Sequence, residues 1–86
     1  MAKREILVVE DDATLRRILR DVLTIKGYEV FVAEDGEEGV AAFAEHNIDL
    51  VIADVMMPRM DGFEMVRRMR ERGANTQFIF LSALDS

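Results

Sequence analysis

The sequence predicts an α/β protein, an open parallel sheet with helices on both faces. Two observations carry this. Leu50-Val51-Ile52-Ala53 is a continuous apolar run, as in a parallel strand buried on both sides, and Asp54 ends it. Short apolar, largely β-branched runs alternate with stretches of helical periodicity, in the order β-α-β-α-β-α-β. Strict alternation with short connections implies right-handed crossovers and a parallel sheet.

Glu5-Ile6-Leu7-Val8-Val9 reads as the first strand, ending in the acidic cluster Glu10-Asp11-Asp12. Leu15, Ile18, Leu19, Val22 and Leu23 then recur at helical spacing and predict an inward face. Asp12 is placed to cap that helix and Gly27 to stop it. Tyr28 to Ala33 reads as the second strand, with Tyr28 as a packing residue. Asp35 is a candidate cap for a second helix running to about His46, with Val40, Phe43 and Ala44 inward, and Asn47 ends it. The third strand is the Leu50–Asp54 run. Pro58 forbids strand pairing beyond it, and Asp61-Gly62 is a turn dipeptide. Asp61 followed by Glu64 resembles a capping box for a third helix with Val66 and Met69 inward, ended by Gly73. Phe78-Ile79-Phe80-Leu81 is the fourth strand. His46 and the arginines of the first and third helices read as solvated.

Eighty-six residues bound the chain to one domain. The absence of cysteine excludes disulfides and thiolate metal sites. A net charge of −6 disfavours non-specific nucleic-acid binding and suits a site that gathers carboxylates around a cation. No apolar run approaches a membrane span and no signal-peptide core follows Met1-Ala2-Lys3-Arg4, so the expected setting is soluble and cytoplasmic.

Asp54, at the tip of a buried strand, needs a reason, because an unpaired buried charge is costly. If the first and third strands are neighbours, Glu10, Asp11 and Asp54 share one pocket at the C-terminal edge of the sheet, where α/β sheets bind ligands. Three like charges there would repel, and a hard divalent cation such as Mg²⁺ would relieve them. Ser82 puts a neutral hydroxyl at the end of the fourth strand. A carboxylate, a cation and a hydroxyl suit phosphoryl transfer, with Asp54 as nucleophile giving an aspartyl phosphate.

Val8-Val9-Glu10-Asp11-Asp12, the run from Ala53 to Gly62 (Ala53-Asp54-Val55-Met56-Met57-Pro58-Arg59-Met60-Asp61-Gly62) and Leu81-Ser82-Ala83 together resemble the receiver domain of bacterial two-component response regulators. The resemblance covers nearly the whole chain. It implies a flavodoxin-like (CheY-like) sheet, here four strands in the order 2-1-3-4. It implies Asp54 as phosphoacceptor, and Asp11, Asp54 and the Met56 carbonyl as Mg²⁺ ligands. Glu10 would act through water, and Ser82 would contact the phosphoryl group. The implied partner is a sensor histidine kinase, and the implied role is signalling and not enzymatic turnover.

A receiver normally has five βα units. This chain lacks the fourth helix, the fifth strand and helix, and the lysine that follows the fifth strand. Its lysines are Lys3 and Lys26. Residues 1–86 therefore read as a truncated receiver. Its fourth strand, Phe78, Ile79, Phe80 and Leu81, would be a bare apolar edge that favours a homo-oligomer. The competing expectation is a fragment that folds and self-associates but is poorly phosphorylated. A metal-dependent hydrolase fits less well, because the Asp-x-Asp spacings of such phosphatases are missing around Asp54 and Glu10.

Overall fold

The computed structural model describes residues 3–55, 60–72 and 75–81. The elements are β1 (Glu5–Val9), α1 (Ala13–Ile25), β2 (Glu29–Ala33), α2 (Gly36–Glu45), β3 (Leu50–Asp54), α3 (Gly62–Arg70) and β4 (Gln77–Leu81). All strand pairs are parallel and the order is β2-β1-β3-β4, as expected. β2 begins one residue later than the apolar pattern suggested, and β4 one residue earlier.

Side-chain alternation splits the core in two. Leu7, Val9, Val51 and Ala53 face α2 and α3, meeting Phe43, Met65 and Met69. Ile6, Val8 and Ile52 face the other way, against Leu19, Leu23 and Tyr28. Every residue of β1 from Ile6 to Val9 is buried, which explains its unbroken apolar run.

The helices are capped as their sequences ask. Asp12 Oδ1 accepts from the backbone N–H of Thr14 and Leu15, Asp35 Oδ1 from Glu38, and Asp61 Oδ1 from Glu64. The Asp61–Glu64 pair is not a reciprocal box in its side chains, because the Glu64 carboxylate turns to Arg67 and Arg68. Gly27 follows α1 at φ 101°, a left-handed conformation that favours glycine. Gly73 lies outside the described residues.

Three expectations about side-chain surroundings need correction. Along α1 only Leu19 and Leu23 pack on the sheet; Leu15, Ile18 and Val22 are 37%, 51% and 46% exposed. Among the described residues no second helix lies beside α1 on that face, so the outer half of its apolar stripe has nothing to bury against. On α2, Ala44 is exposed, and Gly36, Gly39 and Phe43 form the buried face. Gly39 sits so close to β1 that a Cβ there would lie 3.0 Å from Val9. On α3, Val66 and Met69 face the core as expected, and Met65, which the periodicity left out, is fully buried beside them. His46 is not simply solvated: its ring stacks on Phe31 at 3.8 Å between centroids.

Candidate functional site

The register of the sheet builds the site. Val9 pairs with Ala53 across β1 and β3, so the next residues, Glu10 just past β1 and Asp54 at the last position of β3, stand side by side. The Glu10 N–H still donates to the Ala33 carbonyl of β2 at 3.0 Å, which holds the chain in line one residue beyond β1. There the chain turns into α1. The Asp12 N–H donates back to Glu10 Oε2 at 3.1 Å, and the Asp12 side chain caps the helix. Asp11 is left exposed between two anchored neighbours.

Glu10, Asp11 and Asp54 each present a carboxylate oxygen, and these oxygens lie within 4.8 Å of one another. Glu10 is buried at 2% exposure, Asp54 is half-buried and Asp11 is open. Burial pushes the Glu10 carboxyl above its ordinary value of 4.5. A hydrogen bond with Asp11 and the charges of Asp54 and Asp11 push the same way, while the Asp12 N–H opposes them. Oxygen donors of this kind, crowded and partly desolvated, match a hard divalent cation that keeps some of its waters.

Past Asp54 the backbone is held by Gly62, whose N–H donates to the Val55 carbonyl at 2.9 Å. A Cβ on Gly62 would lie 2.9 Å from the Phe80 ring and 3.0 Å from the Asp54 carbonyl oxygen. The Asp61-Gly62 pair is thus more than a turn signal, since its glycine lets α3 start directly against the strand that carries Asp54. Three expected site residues, Glu10, Asp11 and Asp54, are brought together. Met56 and Ser82 lie outside the described residues. Ser82 follows Leu81, the β4 partner of Asp54.

One neighbour was missed from the sequence. Arg16, read as part of a solvated face, is half-buried, and its Nη1 donates to the Glu10 carbonyl at 2.7 Å. The available signal was its place one turn into α1, four residues after the cap. A separate groove of about 300 Å³, lined by Arg4, Ile6, Leu23, Tyr28, Asp49 and Gln77, opens at the opposite end of the strands and is remote from the carboxylates.

The family model described as the response regulator receiver domain matches residues 6–86. Response regulator MprA of Mycobacterium sp. (strain KMS) is 44% identical over 81 residues, covering 94% of this chain and 35% of that protein. The chain spans about a third of the length of the curated relatives it matches. Among solved structures, chemotaxis protein CheY4 of Vibrio cholerae superposes with a TM-score of 0.92 at 34% identity, over 99% of this chain and 72% of that one. TrrA from Thermotoga maritima, solved in complex with Mg²⁺-BeF, gives 0.87 at 38% identity, over 95% and 71%.

Proposed function

The chain belongs to the response regulator receiver domain family, and we propose on that basis that residues 1–86 act in the cytoplasm as one phosphoacceptor domain, taking a phosphoryl group onto Asp54 from a sensor histidine kinase. The observation that carries the reading is the three-carboxylate group with Glu10 buried inside it. The 38% identical neighbour solved with Mg²⁺-BeF supports a divalent cation as its complement.

Asp11 and Asp54 would hold Mg²⁺ directly, Glu10 through water, and Met56 through its carbonyl. Bound there, the cation would supply neutralisation of charge on the phosphoryl oxygens. The chain's own residues do the rest. An Asp54 carboxylate oxygen bonds to phosphorus as the P–N bond of the donor breaks, and the freed imidazole takes up a proton. Ser82 would donate its hydroxyl to a phosphoryl oxygen. Lys26 sits at the C-terminal end of α1 and Lys3 ahead of β1, both at the end of the strands away from the carboxylates. Neither lysine reaches the phosphoryl group in this reading, and the expected labelling is slow and incomplete. Incubation with Mg²⁺ and phosphoramidate, followed by intact-mass measurement, tests this. Wild type should gain a sub-stoichiometric phosphate that Asp54→Asn lacks. No gain in wild type would leave the second reading.

That second reading is a receiver fragment that folds and self-associates without efficient phosphorylation. It is favoured by β4, which pairs only with β3 among the described residues, and by Ile79, 50% exposed on an apolar strand. The partner would be a second copy covering Phe78, Ile79, Phe80 and Leu81. A clean monomer by sedimentation at tens of micromolar would sink the association.

A further inference from the structure

The carboxylate group depends on a turn of backbone, and that turn is held from one side by the Arg16 guanidinium. The Glu10 N–H is fixed by Ala33 of β2, and its carbonyl oxygen accepts from Arg16 Nη1 at 2.7 Å. The Arg16 backbone N–H donates to the Asp12 carbonyl at 2.9 Å. One residue thus grips the acidic turn twice, on either side of Asp11. The peptide that accepts from the guanidinium is the one joining Glu10 to Asp11, so its plane sets the direction in which the Asp11 side chain leaves the backbone.

We infer that Arg16 is a positioning residue for cation binding: its guanidinium holds the Glu10–Asp11 peptide so that both carboxylates converge on Asp54. The inference rests on the reading of Glu10, Asp11 and Asp54 as the ligands of a divalent cation. Two effects of Arg16 oppose each other. Its charge near the carboxylates would weaken cation binding by repulsion, while its grip on the turn would strengthen binding by spending the ordering cost before the ion arrives. The bond is short, charge-assisted and partly shielded from water, and the three carboxylates already attract the ion strongly. Pre-ordering is therefore the larger effect. Groups that orient metal ligands from behind typically change metal affinity by about 10- to 100-fold, and the open position of Asp11 puts the expectation at the low end.

Isothermal titration of the 86-residue chain with Mg²⁺ separates the cases, with wild type, Arg16→Ala and Arg16→Lys compared at equal ionic strength. Arg16→Ala should bind Mg²⁺ about tenfold more weakly, and Arg16→Lys, which keeps a charged donor, should recover part of the loss. In the metal-free chain the ¹⁵N shift of the Asp11 amide should move in Arg16→Ala, because the carbonyl of its own peptide loses a donor. Unchanged or tighter Mg²⁺ binding by Arg16→Ala, or by Arg16→Met (which keeps the apolar stem without the donor) should the alanine variant fail to fold, overturns the inference while leaving the cation reading intact. An absence of Mg²⁺ binding in wild type overturns both.

Discussion

Two glutamates in this chain are moved in opposite directions. Glu10 is buried among like charges, so its carboxyl is raised; the folded state holds the proton more tightly than the unfolded chain. Its contribution favours folding below 4.5 and is lost as pH rises through the raised folded value, a loss that a bound cation would offset. Glu64 is partly exposed and accepts from Arg67 Nη2 at 2.6 Å and Arg68 Nε at 2.9 Å. Those hydrogen bonds, Arg67 first, lower its carboxyl to about 2. Its contribution is present above 4.5 and is lost as pH falls toward about 2. Glu64→Gln should therefore flatten the acid limb of thermal stability between these values. Because the cluster is exposed, the difference from wild type should shrink in high salt, as melting curves at two ionic strengths would show.

At the scale of elements, α3 is the best-specified helix and α1 the least covered. α3 has Glu64 in its first turn, Arg67, Arg68 and Arg70 in its last, and Met65 and Met69 fully buried between them. Arg70 also lies over the Phe78 ring at 4.8 Å, so it shields β4 and is not simply solvated. The start of α3 has no spare room. Gly62→Ala would press a methyl group against the Phe80 ring and the Asp54 carbonyl, and the carbonyl cannot yield without moving the end of β3. The expected cost is about 1–3 kcal/mol, read from urea unfolding, with Mg²⁺ affinity falling as the Asp54 backbone shifts. Unchanged stability would mean that α3 can retreat from the sheet. α1, by contrast, shows how far periodicity reaches. Its stripe of Leu15, Ile18, Leu19, Val22 and Leu23 is correctly helical, yet three of the five stay exposed. Periodicity reports which residues share a face, and burial needs a second surface to meet it.

For the molecule as a whole, the two faces of the sheet are unequally covered. Among the described residues, α2 and α3 share one face with ten buried residues, while α1 attends the other with three. Among the described residues, exposed apolar groups such as Ile79, Ile18, Val22 and Ile25 are where self-association would gain free energy. Ile79→Lys should shift the chain toward monomer in sedimentation with little loss of folding, because Ile79 is half exposed already. If oligomers persist unchanged, the β4 surface is not the contact.

The sequence by itself determined the element order, the helix caps and the carboxylates that meet. These follow from local chemistry: side-chain alternation, a capping aspartate before each helix, and acids placed just past apolar strands. Strand pairing then converts equal strand ends into spatial neighbours, which is why Glu10, Asp11 and Asp54 could be matched across 44 residues. Tertiary structure decided what depended on a partner's position. It left half of α1 bare, buried Met65 ahead of Val66, stacked His46 on Phe31, and made Gly62 a point of close approach. It also turned Arg16 inward to the Glu10 carbonyl, because an arginine one turn into a helix reaches either water or the loop before it. Only the folded path of that loop chooses between them.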